Sequence, residues 1–332
     1  MTEMIGERTA AWVADRLGRD EHITEVTTLR GGWTSEMRRL TVTGPDGERT
    51  LVLRSFVKPF FVQHAEGLLG REAAILRLLA PGGVPAARLV AVDAAGAHGE
   101  HPSLLMTLLP GGVRLEPAGA RARADLAARQ LLEIHRTGVT DATRPRDYQP
   151  WTAPERVAVP PDTTRPALWS RAVALIDRHP PRYRPCFLHR DYHPGNLLYE
   201  GAADGTDRAD GAGDAGDGGL RISGVVDWVE TSWGPADLDV AHCATAHALL
   251  YGPEHGLAFA DRYTAAGGTL ADDPADHLYW RLLDALAFAP DAEKVAVPWR
   301  ELGRTDLTPQ VLGDRLEEYV AGLLDRYGDA GA

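Results

Sequence analysis

A cluster of polar side chains separates two apolar runs in the stretch CFLHRDYHPGNLLY, residues 186–199. His189, Asp191 and Asn196 follow the pattern H-x-D-x-x-x-x-N, and Asp227 closes a later short apolar run, ISGVVD. Transfer of a phosphoryl group needs a carboxylate to orient and deprotonate the attacking hydroxyl, and oxygen ligands to hold Mg²⁺ against the phosphates. The pattern therefore predicts Asp191 as the base, with Asn196 and Asp227 as magnesium ligands.

The backbone of this stretch must bring the aspartate and the asparagine to one point. The proline and glycine at 194–195 rule out a helix, which predicts an extended loop. A metal-hydrolase site is an alternative, because His189 and His193 are four residues apart as in helical zinc sites. The Pro-Gly pair and the lack of a glutamate between the histidines disfavour it. A merely polar surface loop is the other alternative, and the flanking apolar runs count against it.

Composition and charge limit the class of protein. The chain has 332 residues, of which 44% are hydrophobic and 25% are charged, so we expect a globular protein of two lobes. The net charge of -12 argues against nucleic acid as a partner and favours a cationic one. No apolar segment is long enough to cross a bilayer, and two cysteines are too few for a disulfide framework. We expect a cytoplasmic protein without membrane contact, of unknown oligomeric state.

Hydrophobic periodicity divides the chain into a strand-rich part and a helical part. Residues 23–57 alternate as strands separated by a turn, residues 67–80 have the helical period, and two more short strands follow in 88–112. From about residue 124 helical patterns predominate. The boundary is placed at 110–112, where a proline is followed by two glycines.

A Gly/Asp-rich insertion occupies residues 201–219, with five aspartates and one arginine. Its composition is that of a flexible loop. A calcium-binding repeat is the alternative, but the apolar residue that such repeats carry at fixed spacing is missing.

HRDYHPGNLLY, followed by VVDWVETSWGPADLDVAH, resembles the aminoglycoside phosphotransferase family, the small-molecule relatives of protein kinases. The resemblance covers about residues 25–250 and implies an α+β, two-lobed, protein-kinase-like fold. An N-terminal nucleotide-binding lobe, residues 1–109, would hold an antiparallel sheet with one key helix. Residues 106–112 would form the hinge, and residues 110–332 a larger, mainly helical lobe for catalysis and acceptor binding.

The resemblance also implies roles for individual residues of the polar cluster. Asp191 would be the catalytic base, His189 a structural anchor of the loop, and Asp239 a brace of the core. His193 stands where protein kinases carry a lysine that faces the γ-phosphate, and a purely structural role for it is an equal alternative. Asn196 and Asp227 keep their roles as magnesium ligands.

The nucleotide clamp is expected in the N-terminal lobe. LRGGWTSEMRRL resembles the family's glycine-rich loop, although a plain hairpin turn would have the same composition. The resemblance implies that backbone groups of the hinge read adenine. The residues implied in nucleotide binding by these two segments are Gly31, Gly32, Thr34, Ser35, Met106, Thr107 and Leu109.

Arg54 and Glu72 are expected to form a strand-to-helix ion pair. The period of two places Arg54 on one face of its strand together with Val52 and Phe56. The family has at this place a lysine or arginine that contacts the α- and β-phosphates, and Lys58 could share that role. Glu72 lies on the apolar stripe of the following helix, where an unpaired carboxylate would be costly.

These residues together predict transfer of the γ-phosphoryl group of ATP, with Mg²⁺, to a hydroxyl of a small molecule. An aminoglycoside or a similar cationic antibiotic is the first acceptor class, and macrolides, choline-like alcohols and homoserine-like amino-alcohols stay open. Trp228-Val229 after Asp227 replaces the Phe-Gly of protein kinases, which disfavours a protein substrate. A non-catalytic, nucleotide-binding regulatory domain is the alternative from another class. The acceptor region offers several acidic and aromatic residues without a recognisable pattern: Asp261, Asp272, Asp273, Asp276, Asp284, Trp280 and Trp299.

Overall fold

The computed structural model describes residues 5–29, 34–201, 219–289 and 292–328. Two compact units make up the chain. Unit 1 comprises Met1–Pro110 and Gly224–Val229, and unit 2 comprises Gly111–Ser223 and Glu230–Ala332. The predicted glycine-rich pair Gly31 and Gly32, and most of the Gly/Asp-rich insertion, lie outside the described residues.

Unit 1 is built on an antiparallel sheet of five strands in the order β1-β2-β3-β5-β4. The turn between β2 and β3 is tight, with Gly44 opposite Gly47, and Gly47 adopts a φ of 106° that favours glycine. In chain order the elements are α1 (Glu7–Ala14), β1 (His22–Leu29), β2 (Glu36–Gly44), β3 (Gly47–Ser55), α2 (Pro59–Gln63), α3 (Ala65–Leu79), β4 (Leu89–Asp93) and β5 (Ser103–Thr107).

Apolar side chains of α1 and of the sheet form one core cluster in this unit. The alternation of the strands supplies its members, because every second residue points to the same face of the sheet. The cluster consists of Trp12, Val13, Val26, Leu40, Val42, Leu51, Leu53 and Leu105.

Unit 2 is mainly helical. Its strands in the described ranges form two small pairs. Strand β6 pairs with β9 in the antiparallel direction, and β7 pairs with β8. The elements are α4 (Ala120–His135), α5 (Pro166–Ile176), β6 (Pro185–Leu188), β7 (Leu197–Glu200), β8 (Arg221–Val225, whose last two residues belong to unit 1), β9 (Ser232–Pro235), α6 (Ala236–Tyr251), α7 (Pro253–Leu257), α8 (Phe259–Ala265), α9 (Pro274–Ala285), α10 (Glu293–Glu301) and α11 (Pro309–Tyr327).

Helix α6 is the centre of unit 2. Every residue from Asp237 to Leu250 is buried, and α7, α8, α9 and α11 all pack against the helix. A helix buried on all sides has no solvated face on which to place polar groups. The polar side chains of α6 must therefore find partners inside the protein.

The loop between β6 and β7 departs from the expected extended loop in one detail. Pro194–Asn196 forms a single 3₁₀ turn, preceded by His193 in an extended conformation with φ −148° and ψ 165°. The turn closes because the Asn196 N–H donates to the His193 carbonyl oxygen at 2.9 Å. Proline excludes the interior of a long helix but is well suited to the first residue of a short one.

None of the helices in the described ranges has the length and apolar character needed to cross a bilayer. Both cysteines, Cys186 and Cys243, are free thiols.

Two glycines offer opposite tests of this packing. A Cβ atom on Gly256 of α7 would lie 2.5 Å from the carbonyl oxygen of Ala244 in α6, whereas a Cβ on Gly70 of α3 would meet nothing within 4 Å. We expect Gly256→Ala to lower the free energy of unfolding by about 1–3 kcal/mol, because α6 and α7 must move apart. Gly70→Ala should raise it by roughly 0.5–1 kcal/mol, because alanine restricts the unfolded chain.

Urea denaturation of the two variants beside the wild type measures both changes. Equal effects of the two substitutions would contradict the described α6–α7 packing.

Candidate active site

In unit 1, Arg54 is the centre of a buried charge cluster. Its Nη1 atom donates to both oxygens of Glu72, at 2.9 and 3.0 Å, and to Asp227 Oδ1 at 3.1 Å. Arg54 and Glu72 are only 4% and 1% exposed. Strand β3 and helix α3 thus supply the ion pair expected from the sequence. Burial opposes the charge of Arg54, but Asp227 and Glu72 raise its pKa further, so the guanidinium stays charged.

Two hydroxyl groups complete the surroundings of the Arg54 guanidinium. Arg54 Nε donates to Ser35 Oγ at 3.1 Å, and Nη2 donates to Thr34 Oγ1 at 3.3 Å. Thr34 Oγ1 accepts from arginine and keeps its own hydrogen for another acceptor, whereas the Ser35 hydroxyl donates to Met37 Sδ at 3.6 Å.

Asp227 follows β8 in a strained conformation. Its φ is 65°, and among the non-glycine residues of the described ranges only Arg190 shares a positive φ, at 75°. Such conformations cost about 1–3 kcal/mol each and tend to occur at functional sites. Arg190 directly precedes Asp191, and the second strained residue is Asp227 itself. The sequence singled out both of these aspartates.

In unit 2, Asp239 holds the strained turn at Arg190. Its carboxylate accepts the backbone N–H groups of His189 and Arg190, both at 2.8 Å, and its Oδ2 atom lies 3.2 Å from His135 Nε2. Asp239 is completely buried, and although burial alone would raise its pKa, His135 and the other cations lower it. The carboxylate is therefore ionised, which gives strong hydrogen bonds to the two backbone groups.

His189 and Asp191 are tied together by the backbone. The Asp191 N–H donates to His189 Nδ1 at 3.3 Å, and the His189 side chain is completely buried. Residues 189–193 are not helical, so the spacing of four does not place His189 and His193 on one helix face. Within the described part of the chain, no group of three or more His, Cys, Asp or Glu side chains is arranged to hold a metal ion.

Asp191 and Asn196 are in direct contact. Asn196 Nδ2 donates to the Asp191 backbone oxygen at 2.9 Å and to Asp191 Oδ2 at 3.1 Å. Both amide hydrogens are used, which leaves the Asn196 amide oxygen as the atom for a further ligand. The loop thus joins the predicted base to one predicted magnesium ligand.

His193 lies beside the same carboxylate. Its Nδ1 atom accepts the Gly195 N–H at 3.0 Å, and its Nε2 atom lies 3.7 Å from Asp191 Oδ1, beyond a direct hydrogen bond. A Cβ atom at position 195 would lie 2.7 Å from the His193 ring, which explains the glycine.

The sequence did not single out His242, although it touches the predicted base. His242 Nε2 lies 3.2 Å from Asp191 Oδ1, and His242 Nδ1 lies 3.1 Å from Asp284 Oδ1. The signal was present, because a histidine inside the apolar run DVAHCATAHALL needs a partner. Burial opposes ionisation of Asp191, but His193 and His242 hold its pKa well below the usual range.

A comparison with protein-family models decides the family. The model of the phosphotransferase enzyme family, APH, matches residues 25–283. The chain belongs to this family. Comparison with curated proteins gave no match.

Solved structures with the same fold include three antibiotic phosphotransferase relatives. A putative aminoglycoside phosphotransferase from Ralstonia eutropha JMP134 is 18% identical, with a TM-score of 0.61 over 97% of this chain and 98% of that one. An aminoglycoside phosphotransferase APH(4)-Ia mutant in complex with ADP and hygromycin B is 15% identical, with a TM-score of 0.56 over 97% and 98%. Macrolide 2′-phosphotransferase MphH from Brachybacterium faecium is 17% identical, with a TM-score of 0.52 over 90% and 97%.

At these identities the likeness concerns the fold. It confirms the predicted α+β, protein-kinase-like class for this APH family member.

The remaining residues that the sequence predicts to bind nucleotide lie at the end of β5 in unit 1. Met106 pairs with Val52 on one side and Leu89 on the other, and the Thr107 N–H donates to the Arg88 carbonyl oxygen at 2.9 Å. Leu109 follows the strand. Their part in reading adenine stays a prediction, as does the sharing of phosphate contacts by the exposed Lys58.

The acidic residues of the predicted acceptor region are mostly engaged with other parts of the APH family member. Asp261 pairs with Arg326, Asp276 pairs with Arg178, and Asp273 caps the start of α9. Trp280 is completely buried, and Trp299 lies near His193, with 6.3 Å between ring centroids. Two acidic residues of this region remain. Asp272 is exposed, and Asp284 is buried and contacts His242.

The Arg54–Glu72 pair generates a stability prediction. Arg54→Met should lower the free energy of unfolding by about 3–5 kcal/mol, because it leaves Glu72 buried without a counter-charge. The double variant Arg54→Met/Glu72→Gln should recover much of this loss. Arg49→Met on the same strand is the control, because its partner Glu21 is on the surface and the loss should be much smaller.

Denaturant unfolding of the wild type, Arg54→Met, Glu72→Gln and the double variant completes a double-mutant cycle and measures the coupling. Additive losses for Arg54 and Glu72 would contradict a buried ion pair.

The His242 contacts predict a dependence of stability on pH. Burial alone would lower the pKa of His242, but Asp284 and Asp191 raise it to about 9, above the value of roughly 6.5 in an unfolded chain. A raised histidine pKa stabilises the fold fully below pH ~6.5, and the effect is lost as the pH rises through about 9. The wild type should lose roughly 3 kcal/mol more than His242→Gln between these values.

Unfolding free energies of both proteins at intervals from pH 6 to 10 give the comparison. Parallel pH curves would contradict the raised pKa of His242.

Proposed function

We propose that this APH family member transfers the γ-phosphoryl group of ATP to a hydroxyl of a small molecule. One observation carries the proposal. The Asp191 carboxylate, 32% exposed, is held beside the Asn196 amide on a loop whose strained backbone is braced by Asp239. A preorganised, ionised carboxylate next to an oxygen ligand for Mg²⁺ is what phosphoryl transfer needs.

Asp191 acts as the base in this proposal. Its carboxylate orients the acceptor hydroxyl and takes its proton as the acceptor oxygen attacks the γ-phosphorus. The new O–P bond forms while the bond from phosphorus to the bridging oxygen breaks, and ADP leaves with that electron pair. The neighbouring His193 and His242 keep the pKa of Asp191 low, so the carboxylate is ionised at neutral pH.

Asn196 and Asp227 are the proposed magnesium ligands. The donor set fits a hard cation, because the amide oxygen of Asn196 is left unused by its amide hydrogens, and Asp227 is a carboxylate that is 34% exposed. When bound, Mg²⁺ would neutralise charge on the β- and γ-phosphates. Arg54 holds Asp227 Oδ1 at 3.1 Å and so orients the second carboxylate oxygen.

Unit 1 supplies the proposed nucleotide contacts. The hydroxyls of Thr34 and Ser35 accept from Arg54, and Thr34 keeps a hydrogen that can be donated to a phosphate oxygen. The Ser35 hydroxyl donates to Met37 Sδ and would have to turn to reach a phosphate oxygen. Solved structures of APH(4)-Ia with ADP and with AMP-PNP support a nucleotide in this fold. The other proposed contacts are the backbone of Gly31 and Gly32, the guanidinium of Arg54 positioned by Glu72, and the strand-end residues Met106, Thr107 and Leu109.

An aminoglycoside-like, cationic alcohol is the first acceptor class to test. The APH(4)-Ia complexes contain hygromycin B, and the net charge of this chain is -12. A macrolide is the next class, because MphH has the same fold. Choline-like and homoserine-like alcohols complete the panel. A cytoplasmic location, where ATP is supplied, goes with the proposal.

The main test is ADP release from Mg-ATP by the wild type and Asp191→Asn, with each acceptor class in turn. We expect one class to stimulate the wild type, and the variant to lose at least about 100-fold in kcat with unchanged nucleotide affinity, because the base is gone. Asp141→Asn, on an exposed turn, is the matched control and should behave as wild type.

The alternative is a regulatory domain that binds nucleotide without catalysis. Nucleotide binding with no stimulation by any acceptor, and no difference between wild type and Asp191→Asn, would favour it.

A further inference from the structure

The imidazole of His242 lies between two carboxylates in unit 2. Nε2 faces Asp191 Oδ1 at 3.2 Å, and Nδ1 faces Asp284 Oδ1 at 3.1 Å. An ionised carboxylate only accepts hydrogen bonds, so both ring nitrogens must carry hydrogen for both contacts to form. The doubly protonated ring is a cation, and it links the proposed base to the second carboxylate.

The surroundings hold this ring in one orientation. His242 is 5% exposed. The ring of Phe288 stacks on it at 5.9 Å between centroids, and the ring of Trp151 meets it edge-on at 4.8 Å. The aromatic contacts leave the two nitrogens pointing along the line from Asp191 to Asp284.

Asp284 is itself held firmly. It is 3% exposed, and its Oδ2 atom lies 2.7 Å from Thr245 Oγ1, one turn beyond His242 on α6. The hydroxyl of Thr245 is also within 2.9 Å of the Ala241 carbonyl oxygen. The support for His242 therefore comes from α9 and α6, two helices that pack against each other in unit 2.

We propose that His242 is a positioning residue: it clamps the Oδ1 side of Asp191 while Asn196 holds the Oδ2 side. The carboxylate is then fixed in the rotamer that meets the acceptor hydroxyl. This inference rests on the proposed function, in which Asp191 is the base. His242 acts only through the carboxylate of Asp191.

Positioning is a distinct contribution from binding. A carboxylate that is free to rotate loses the geometry of attack, and a displacement of about 1 Å can reduce the rate by roughly 100-fold. An effect of this kind changes kcat and leaves the KM values for nucleotide and acceptor in place.

Two substitutions separate the two hydrogen bonds of the ring. The amide nitrogen of His242→Gln can reach the place of Nε2 and still donate to Asp191. The shorter His242→Asn can replace only Nδ1 and donate to Asp284. A merely structural role of the histidine would make the two variants equally impaired.

The kinetic test is turnover of Mg-ATP with the acceptor that the panel identifies, and with water as acceptor. We expect His242→Gln to stay within about threefold of the wild-type kcat, and His242→Asn to lose about 10- to 100-fold, with KM values changed by less than about threefold. Equal losses in the two variants, or none in His242→Asn, would overturn the inference. Wild-type turnover by Asp191→Asn would instead overturn the proposed function.

A measurement without turnover covers the case in which a His242 variant does not fold. In ¹⁵N-histidine NMR spectra of the full chain, Asp191→Asn should shift the His242 Nε2 resonance more than the Nδ1 resonance. Thr245→Val, which removes the hydroxyl at Asp284, should affect Nδ1 first. Spectra in which Asp191→Asn leaves the His242 resonances in place would contradict the clamp.

Discussion

The fold of the proposed catalytic loop depends on the carboxylate of Asp239. It accepts two consecutive backbone N–H groups, from His189 and Arg190, and so holds Arg190 at a φ of 75° that its side chain disfavours. Asp191 directly follows this residue of positive φ. Without Asp239, the two buried N–H donors would lose their partner, at a cost of about 1–3 kcal/mol each. The loop would then relax from the strained conformation at Arg190. The position of the proposed base therefore depends on hydrogen bonds that are buried in the core of unit 2.

The same solution recurs in three buried charge networks of the described residues. Arg54 faces Glu72 and Asp227 in unit 1, His242 faces Asp191 and Asp284 in unit 2, and Asp239 has both backbone and imidazole partners. A buried charge with too few partners is strongly destabilising, so such a network tolerates few geometries. The networks therefore place the functional groups as well as neutralising them. Preorganisation of this kind lets a site stabilise developing charge without reorganising during the reaction.

The negative net charge of the protein is weak support for a cationic acceptor, because many of the carboxylates have partners within the protein. Several carboxylates of the C-terminal region form ion pairs or caps, as with Asp261, Asp276 and Asp273, and Asp284 is committed to His242. These groups serve the fold of unit 2. Aromatic rings, Trp151, Trp299 and Phe288 among them, surround the histidines next to Asp191.

The sequence by itself determined the elements whose signals are local. Alternation in residues 23–57 and the helical period around Glu72 were enough for the sheet and for α3, and the need of a buried carboxylate for a partner pointed to Arg54. The short spacing between Asp191 and Asn196 was likewise enough to place both residues on one loop. Only the tertiary structure decided that His242 lies between Asp191 and Asp284, residues 51 and 42 positions away along the chain. Periodicity shows that a helix has a buried face, but the partner helices depend on how all the side chains pack together.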